Sequence, residues 1–232
     1  GAATIGKAAA AAGIGNVVHV SAIGASAESD AAYARSKARG EAAIREAAPA
    51  TIIFRPSVIF GPEDSFFNRF AAMARIMPVL PLVGADTKFQ PVFVGDVATA
   101  IADALDGKAK AGTTYELGGP EVAAFRDLVA YACEQAGRKR LLAPLPFGPG
   151  RVMALATEIA SRASLGLFPA MLTTTRDQVE MLRTDNVVSD AAKAEGRTLE
   201  GLGVEPESFR AIAPTYLWRY RATGQYDSRK LA

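Results

Sequence analysis

Cysteine and histidine are nearly absent from this sequence of 232 residues. Cys133 is the only cysteine, so the chain cannot form an internal disulfide, and a reducing compartment is expected. His19 is the only histidine, and one residue of each kind excludes a zinc site with the usual nitrogen and sulfur ligands. His19 also lies in an apolar run, which favours a strand residue over a member of a Ser-His-Asp triad. No metal site is therefore predicted.

Concentrated charge and long apolar runs are also lacking. The chain has 26 Lys and Arg residues against 24 Asp and Glu residues, a net charge of +2, and its basic residues are scattered. This pattern argues against nucleic acid as the main partner. The longest apolar candidate, 152–172, contains Glu158 and Arg162 and is not expected to cross a membrane. Half of the residues are hydrophobic, so the chain can bury a substantial core.

The first twelve residues are rich in alanine and predict a helix without a polar N-cap. Because the chain begins with Gly1 and not with Met, we expect that the complete protein has further sequence before it. Gly13-Ile14-Gly15 follows this helix and precedes an apolar segment. A pyrophosphate-binding loop has the reverse order, since it follows a strand and opens a helix. The two glycines are therefore expected to end the helix.

Helices and short apolar strands alternate over the first half of the chain. Strands are predicted at 16–20, 50–56, 90–94 and 113–117, and helices at 30–47, 62–77 and 95–105, with 78–82 as an interruption. This alternation predicts a parallel sheet covered by helices. After residue 117 the patterns are mostly helical, at 122–136, 149–163, 173–184 and 206–213. The predicted fold class is α/β, an incomplete Rossmann-like parallel sheet without its N-terminal strands and Gly-rich loop, with a mostly helical C-terminal region.

Tyr33 and Lys37 lie four residues apart on a predicted helix, so their side chains share a face. An adjacent ammonium would lower the pKa of the phenol toward a value useful for proton transfer. Lys37 could also donate hydrogen bonds to sugar hydroxyls. Taken alone, the pair is more typical of an ordinary helix with an exposed lysine and a half-buried tyrosine. However, this helix lies between strands that end at Ser21 and Pro56, and ligands bind at the carboxyl ends of strands in such sheets.

The order of three motifs resembles the extended and atypical short-chain dehydrogenases/reductases, the NAD-dependent epimerase/dehydratase-like group. The motifs are Val-Ser-Ala at 20–22, Tyr-Ala-Arg-Ser-Lys at 33–37 and Arg-Pro-Ser-Val-Ile-Phe-Gly-Pro at 55–62. The resemblance implies catalytic roles for Tyr33, Lys37 and Ser21. It implies that the nicotinamide half of NADP(H) or NAD(H) lies against Ser21, Ala22, Tyr33, Lys37, Pro56, Ser57 and Val58. The family's catalytic serine aligns with Ser21 or Ala22, and because successive strand residues face opposite sides, this register decides where a hydroxyl points.

Later segments resemble the NAD(P)-binding accessory subunits of respiratory complex I. They lie at 61–70, 172–186, 201–206 and 213–221, the last containing Leu-Trp-Arg-Tyr-Arg. The resemblance implies the C-terminal part of an NAD(P)-binding domain at 1–119 and a mostly helical substrate-domain-like or docking region at 120–232. It further implies a structural or assembly role with bound nucleotide, complex I subunits as partners, and a peripheral location. That location would be the cytoplasmic side of a bacterial inner membrane or the matrix side of a mitochondrial one.

Two alternatives to this function remain open. The first is an active NAD(P)-dependent epimerase, dehydratase or reductase that uses Tyr33 and Lys37, and the second is a fold that has lost nucleotide binding. Turnover by this chain itself is therefore left undecided.

Two segments of the second half also allow two interpretations each. The predicted helix at 149–163 has Val152, Leu155 and Ile159 on one face. Burial of this face against its own core is the favoured interpretation, and contact with a membrane surface is the alternative. The aromatic and basic segment at 213–221 either folds back on its own domain or docks on a partner, and the resemblance favours the partner.

Overall fold

The computed structural model of this protein describes residues 1–164 and 167–226. The helices are α1 Ala2–Ala11, α2 Ala32–Ala47, α3 Phe67–Ile76, α4 Val94–Leu105, α5 Phe125–Gln135, α6 Phe147–Ala163, α7 Arg176–Met181, α8 Asp190–Ala194, α9 Phe209–Ile212 and α10 Pro214–Leu217. The strands are β1 Val18–Val20, β2 Ile52–Pro56, β3 Ile59–Phe60, β4 Val79–Val83, β5 Lys88–Phe89, β6 Val92–Phe93, β7 Thr114–Leu117, β8 Ala123–Ala124 and β9 Leu141–Leu145. Single 3₁₀ turns occur at Ala170–Leu172, Glu200–Leu202, Trp218–Tyr220 and Gly224–Tyr226.

The chain forms two compact units, and neither is one continuous stretch. The first unit contains Gly1–Ile59, Phe89–Val122 and Asn186–Ser208. The second unit contains the described residues of the intervening stretches, from Phe60 to Lys88, from Ala123 to Asp185 and from Phe209 onward. A late segment of the sequence therefore returns to the unit that the first residues build.

A three-stranded parallel sheet in the order β1-β2-β7 organises the first unit. Val18 pairs with Ile52, and Ile53 pairs with Thr114. Helix α2 joins β1 to β2, as a crossover between neighbouring parallel strands requires. The predicted α/β fold with a Rossmann-like parallel sheet is confirmed.

The core of the first unit combines this sheet with α4 and the returning segment at 186–208. Its buried members include Ile52, Phe54, Val92, Val97, Ala100, Tyr115, Leu117, Leu199 and Val204. Full burial of one such large side chain stabilises a fold by about 1.5–3 kcal/mol. The returning segment is thus held to the first unit by its own apolar side chains.

Gly13 ends α1 in a left-handed conformation, with φ of +68°. Its N–H donates to the Ala10 carbonyl at 3.1 Å, and the Ile14 N–H donates to the Ala9 carbonyl at 2.9 Å. These two bonds form a Schellman motif, which satisfies carbonyls at the end of a helix. The prediction that this glycine pair ends a helix is confirmed.

The second unit contains a parallel strand pair that the sequence patterns did not predict. Strand β4 lies where an interruption was expected, and it pairs with β9 in a stretch with no predicted element. Pro81 pairs with Ala143, and Pro144 pairs with Leu82. A proline lacks the N–H that a central strand needs, but a two-stranded sheet has only edge strands, which tolerate it. Because of these prolines, the sequence patterns did not indicate either strand.

The aromatic and basic segment at 213–221 folds back on its own unit. Tyr216 and Leu217 are buried, and the Tyr216 hydroxyl donates to the Asp64 carboxylate at 2.6 Å. The Arg219 guanidinium donates to the Asn68 side chain at 2.7 Å. For these residues the structure supports folding back rather than docking on a partner.

Helix α6 turns two small residues inward and leaves three large apolar residues exposed. Gly150 and Ala154 are buried, and a Cβ at Gly150 would clash with the Val83 side chain. The small side chains at these two positions allow close packing, and Met153 packs against the same core cluster. Val152, Leu155 and Ile159 are exposed on the helix instead, so the favoured interpretation that they cover the unit's own core is wrong. Among the described residues, no helix is both long and apolar enough to cross a bilayer.

Candidate nucleotide site

The loops that follow β1 and β2 lie side by side at one edge of the sheet. The Ser21 N–H donates to the Phe54 carbonyl at 2.7 Å, and the Ile23 N–H donates to the Pro56 carbonyl at 3.0 Å. The Ser57 N–H donates to the Leu117 carbonyl at 2.8 Å. These bonds extend the parallel ladder past the strand ends. The predicted residues 21–22 and 56–58 are thereby brought to the carboxyl edge, where ligands bind in open α/β sheets.

Tyr33 and Lys37 meet on the face of α2 that adjoins this edge. The Lys37 Nζ lies 5.5 Å from the centroid of the Tyr33 ring, and it donates a hydrogen bond to the Val20 carbonyl at 3.4 Å. The Tyr33 side chain remains 46% exposed. The expected pairing of a phenol and an ammonium is therefore present, next to the end of β1.

The expectation that Lys37 lowers the pKa of Tyr33 is wrong for this geometry. Partial burial raises the pKa of the Tyr33 phenol above its usual value, because burial penalises the phenolate. The Lys37 ammonium lies over the Tyr33 ring. The phenol is thus protonated at neutral pH, a state that can donate a proton but cannot accept one.

Ser21 and Ala22 differ in their surroundings as adjacent strand-end residues do. Ser21 is buried, and its Oγ has no partner within hydrogen-bond geometry in the described part of the chain. It nevertheless lies near enough to Glu41 for its hydroxyl to help lower the pKa of that carboxyl. Ala22 is half-buried. The Ser21 hydroxyl therefore faces α2, and the half-buried Ala22 has only a methyl group.

An ion pair that the sequence analysis did not identify joins α2 to β2. The Arg55 guanidinium donates two hydrogen bonds to the Glu41 carboxylate, at 2.8 and 2.6 Å. Burial disfavours ionisation of Glu41, but the bonds from Arg55, the Ser21 hydroxyl and the positive charge of Arg55 together outweigh burial, and the pKa of Glu41 is lowered. The sequence signal was present, because Glu41 lies four residues after Lys37 on the same helix face and Arg55 directly precedes Pro56.

His19 lies in β1, as predicted, on the side of the strand that faces α2. A Cβ at Gly40 would lie 3.5 Å from its Nε2. Burial lowers the pKa of His19, and the positive charge of Lys37 lowers it further. The imidazole is therefore neutral at pH 7, and the positive charge next to it is that of Lys37.

The loop after β2 places three predicted residues in different environments. Pro56 and Ser57 are buried, and Val58 is half-buried. The Ser57 hydroxyl lies 2.6 Å from the Asn186 Oδ1, so this side chain is occupied by a contact within the first unit. The loop can therefore offer a ligand its backbone and the Val58 side chain more readily than the serine hydroxyl.

Comparison with known proteins agrees with this geometry. The family model described as RmlD substrate binding domain matches residues 25–158, more than half of the chain. The chain belongs to this family. The predicted resemblance to the epimerase/dehydratase-like short-chain dehydrogenases/reductases is thereby confirmed.

The chain is similar to two curated proteins that carry different names. The chain is 34% identical over 214 residues to "NADH dehydrogenase [ubiquinone] 1 alpha subcomplex subunit 9, mitochondrial" of Arabidopsis thaliana, over 91% of this chain and 52% of that protein. It is 30% identical over 203 residues to a ceramide reductase of Caulobacter vibrioides, over 84% of this chain and 61% of that protein. The chain thus spans about half the length of the first relative. The predicted similarity to complex I accessory subunits is confirmed.

A solved structure shares the fold of this family member. It is the NADPH-dependent quinone oxidoreductase QOR2 of Escherichia coli, complexed with NADPH. The TM-score is 0.68 at 18% identity, over 94% of this chain and 70% of that chain. At this level of identity the likeness concerns the fold alone.

Proposed function

We propose that this family member acts as an NAD(P)-binding accessory subunit of respiratory NADH:quinone oxidoreductase, complex I, with the nucleotide in a structural or assembly role. The observation that carries the proposal is the likeness of nearly the whole chain to a subunit of that enzyme. Within this proposal, the first unit, which holds most of residues 1–119 and the returning segment at 186–208, forms part of the nucleotide-binding domain. The second unit, which holds most of residues 120–232, forms the mostly helical substrate-domain-like or docking region.

The residues at the sheet edge fit the nicotinamide half of a dinucleotide, NADP(H) or NAD(H). An ammonium has three donors, and Lys37 directs one of them to the Val20 carbonyl, so donors are left for ribose hydroxyls. The half-exposed Tyr33 would lie beside the same ribose. Ala22 and the backbone at 56–58 would border the nicotinamide ring. When bound, the nucleotide would supply hydride chemistry, and these residues would bind and orient it.

The same geometry favours a structural nucleotide over turnover. Proton abstraction from a substrate would need Tyr33 as a phenolate, and burial raises the pKa of Tyr33 instead. An orienting hydroxyl is also needed, but Ser21 is enclosed and Ala22 has none. We therefore propose that the pair binds nucleotide without an efficient proton relay to a substrate.

Association with the respiratory enzyme tests this function. The full-length protein would be tagged at its own locus, and membranes solubilised in mild detergent would be resolved by native electrophoresis. We expect the protein to migrate with the NADH dehydrogenase activity band. Two results together would contradict the proposal. The tagged protein would migrate only as a free protein, and a strain that lacks the protein would still show the fully assembled NADH dehydrogenase band.

A reductase, epimerase or dehydratase is the second candidate, and the ceramide reductase relative favours the first of these. This function would require Tyr33 as the acid in each turnover. Tyr33→Phe should then reduce turnover by at least about a hundredfold, since general acid catalysis contributes about 10²–10⁴. Equal turnover in the parent and Tyr33→Phe would eliminate it.

We also propose that the exposed face of α6 contacts the membrane surface, which would place the protein peripherally on the cytoplasmic side of a bacterial inner membrane or the matrix side of a mitochondrial one. The face carries Val152, Leu155 and Ile159, with the exposed Arg151 and Arg162 near its two ends. The nearby acid, Glu158, is turned to Arg176 and largely covered. An apolar stripe with only basic charge suits an anionic lipid interface.

Vesicle flotation checks this contact. Val152→Gln with Ile159→Gln should lower binding to vesicles of anionic phospholipid at least about fivefold, because each change removes apolar area from the interface. The matched control is Ile76→Gln with Leu141→Gln. Its two side chains are 61% and 66% exposed, against 69% and 57% for the α6 pair, and they lie elsewhere in the second unit. Equal effects of the two double variants would refute a specific contact.

A further inference from the structure

Asn186 begins the segment that returns to the first unit, and it forms a parallel bridge with Phe89. The Ser57 hydroxyl lies 2.6 Å from the Asn186 Oδ1 and 2.9 Å from its carbonyl oxygen. The Asn186 Nδ2 donates to the Ile23 carbonyl at 3.4 Å. The amide therefore uses its acceptor toward a hydroxyl and its donor toward a carbonyl, the only orientation that satisfies both.

One side chain thereby ties together the loops that follow β1 and β2. Ile23 belongs to the first loop and Ser57 to the second. Neighbouring contacts reinforce the tie. Val188 packs against Ile23 and Ala192, and the Gln90 N–H donates to the Asn186 carbonyl at 3.1 Å. Asn186, 129 positions after Ser57, therefore adds a side-chain tie to the backbone bond between Ile23 and Pro56 that already joins the two loops.

We infer that Asn186 is a positioning residue for the nicotinamide end of the nucleotide site, an inference that rests on the proposed function. Asn186 acts through Ser57 and Ile23, and it fixes the backbone on which Ala22 and Val58 stand. Without the tie, both loops must be ordered when the nucleotide binds, and that ordering weakens affinity. The adenosine half of the nucleotide would not depend on these loops.

The test compares a whole nucleotide with a fragment that lacks nicotinamide. Asn186→Leu keeps the number and branching of the side-chain heavy atoms and removes the donor and the acceptor. Titration calorimetry on the full-length protein would measure Kd for NADPH or NADH, whichever the parent binds more tightly, and for the corresponding ADP-ribose. We expect about a five- to thirtyfold weaker Kd for the whole nucleotide, the effect of one or two hydrogen bonds. The Kd of the fragment should change less than about twofold.

Asn16→Leu is the matched control. Asn16 also lies in the first unit and donates one bond, at 2.9 Å, to the Leu105 carbonyl, but it precedes β1 rather than following it. This variant should leave both Kd values unchanged. If Asn186→Leu does not fold, Ser57→Ala removes the tie by deleting one hydroxyl, and the whole-nucleotide Kd should weaken about threefold.

Three results would overturn the inference. If Asn186→Leu weakens the Kd of the nucleotide and of the fragment equally, Asn186 has a structural role only. If it weakens neither Kd, Asn186 has no role in nucleotide binding. Both outcomes leave the proposed function intact, because the parent still binds nucleotide. If the parent binds neither ligand, the proposed function fails and the positioning role fails with it.

Discussion

Lys37→Ala is expected to weaken nucleotide binding about ten- to a hundredfold, whereas Tyr33→Phe should weaken it less than about threefold. The lysine would contribute charge-assisted hydrogen bonds to the ribose, worth about 1.5–3 kcal/mol. The phenol of Tyr33 adds one neutral hydrogen bond at most. Fluorescence titration of both variants with NADPH and NADH would measure the two constants.

Arg39→Ala is the control for Lys37→Ala. Arg39 is an exposed cation two residues further along α2, so its removal changes the net charge equally without touching the sheet edge. It should leave the affinity unchanged. A larger loss from Tyr33→Phe than from Lys37→Ala would contradict the assignment of Lys37 to the ribose.

Glu41→Gln is expected to lower the free energy of unfolding by about 2 kcal/mol at pH 7, since removal of one member of a largely buried ion pair leaves the other charge uncompensated. The pKa of Glu41 is lowered in the folded protein. Its stabilisation is therefore fully present above the unfolded pKa, about 4.3, and is lost as the pH falls through the folded pKa. Urea unfolding between pH 7 and pH 3.5 should show the gap between parent and variant closing on acidification.

Glu195→Gln provides the contrast for this ion pair. Glu195 contacts Arg197 at 2.7 Å in the same unit, but the Glu195 carboxylate is exposed, and exposed ion pairs contribute little to stability. The variant should unfold like the parent. A gap between parent and Glu41→Gln that stays constant down to pH 3.5 would show that the carboxylate charge of Glu41 is not what stabilises α2 on β2.

Local rules were sufficient to predict the part of the site that lies on one helix. Tyr33 and Lys37 are one turn apart, so helical periodicity alone predicts that they meet. The positive φ of Gly13 follows from an alanine-rich helix that stops at a glycine. The parallel sheet followed from alternating helices and apolar strands.

Contacts between distant segments could not be predicted in this way. The Glu41–Arg55 pair depends on the register of α2 against β2, and the Asn186–Ser57 contact joins residues 129 positions apart. Which face of α6 points outward depends on which face packs more closely on the unit. The face with Gly150 and Ala154 is the buried one. The pKa of Tyr33 is raised rather than lowered because partial burial disfavours the phenolate, and burial depends on the folded environment of the helix.

The nucleotide content of the full-length protein tests the central claim most directly. The protein would be purified without added nucleotide and denatured in acid or alkali, and the released dinucleotide would be counted by mass spectrometry. We expect close to one NAD(P)H or NAD(P)⁺ per chain from the parent and a strongly reduced amount from Lys37→Ala. A parent that releases none, and binds none when it is added back, would contradict a nucleotide site at the ends of β1 and β2.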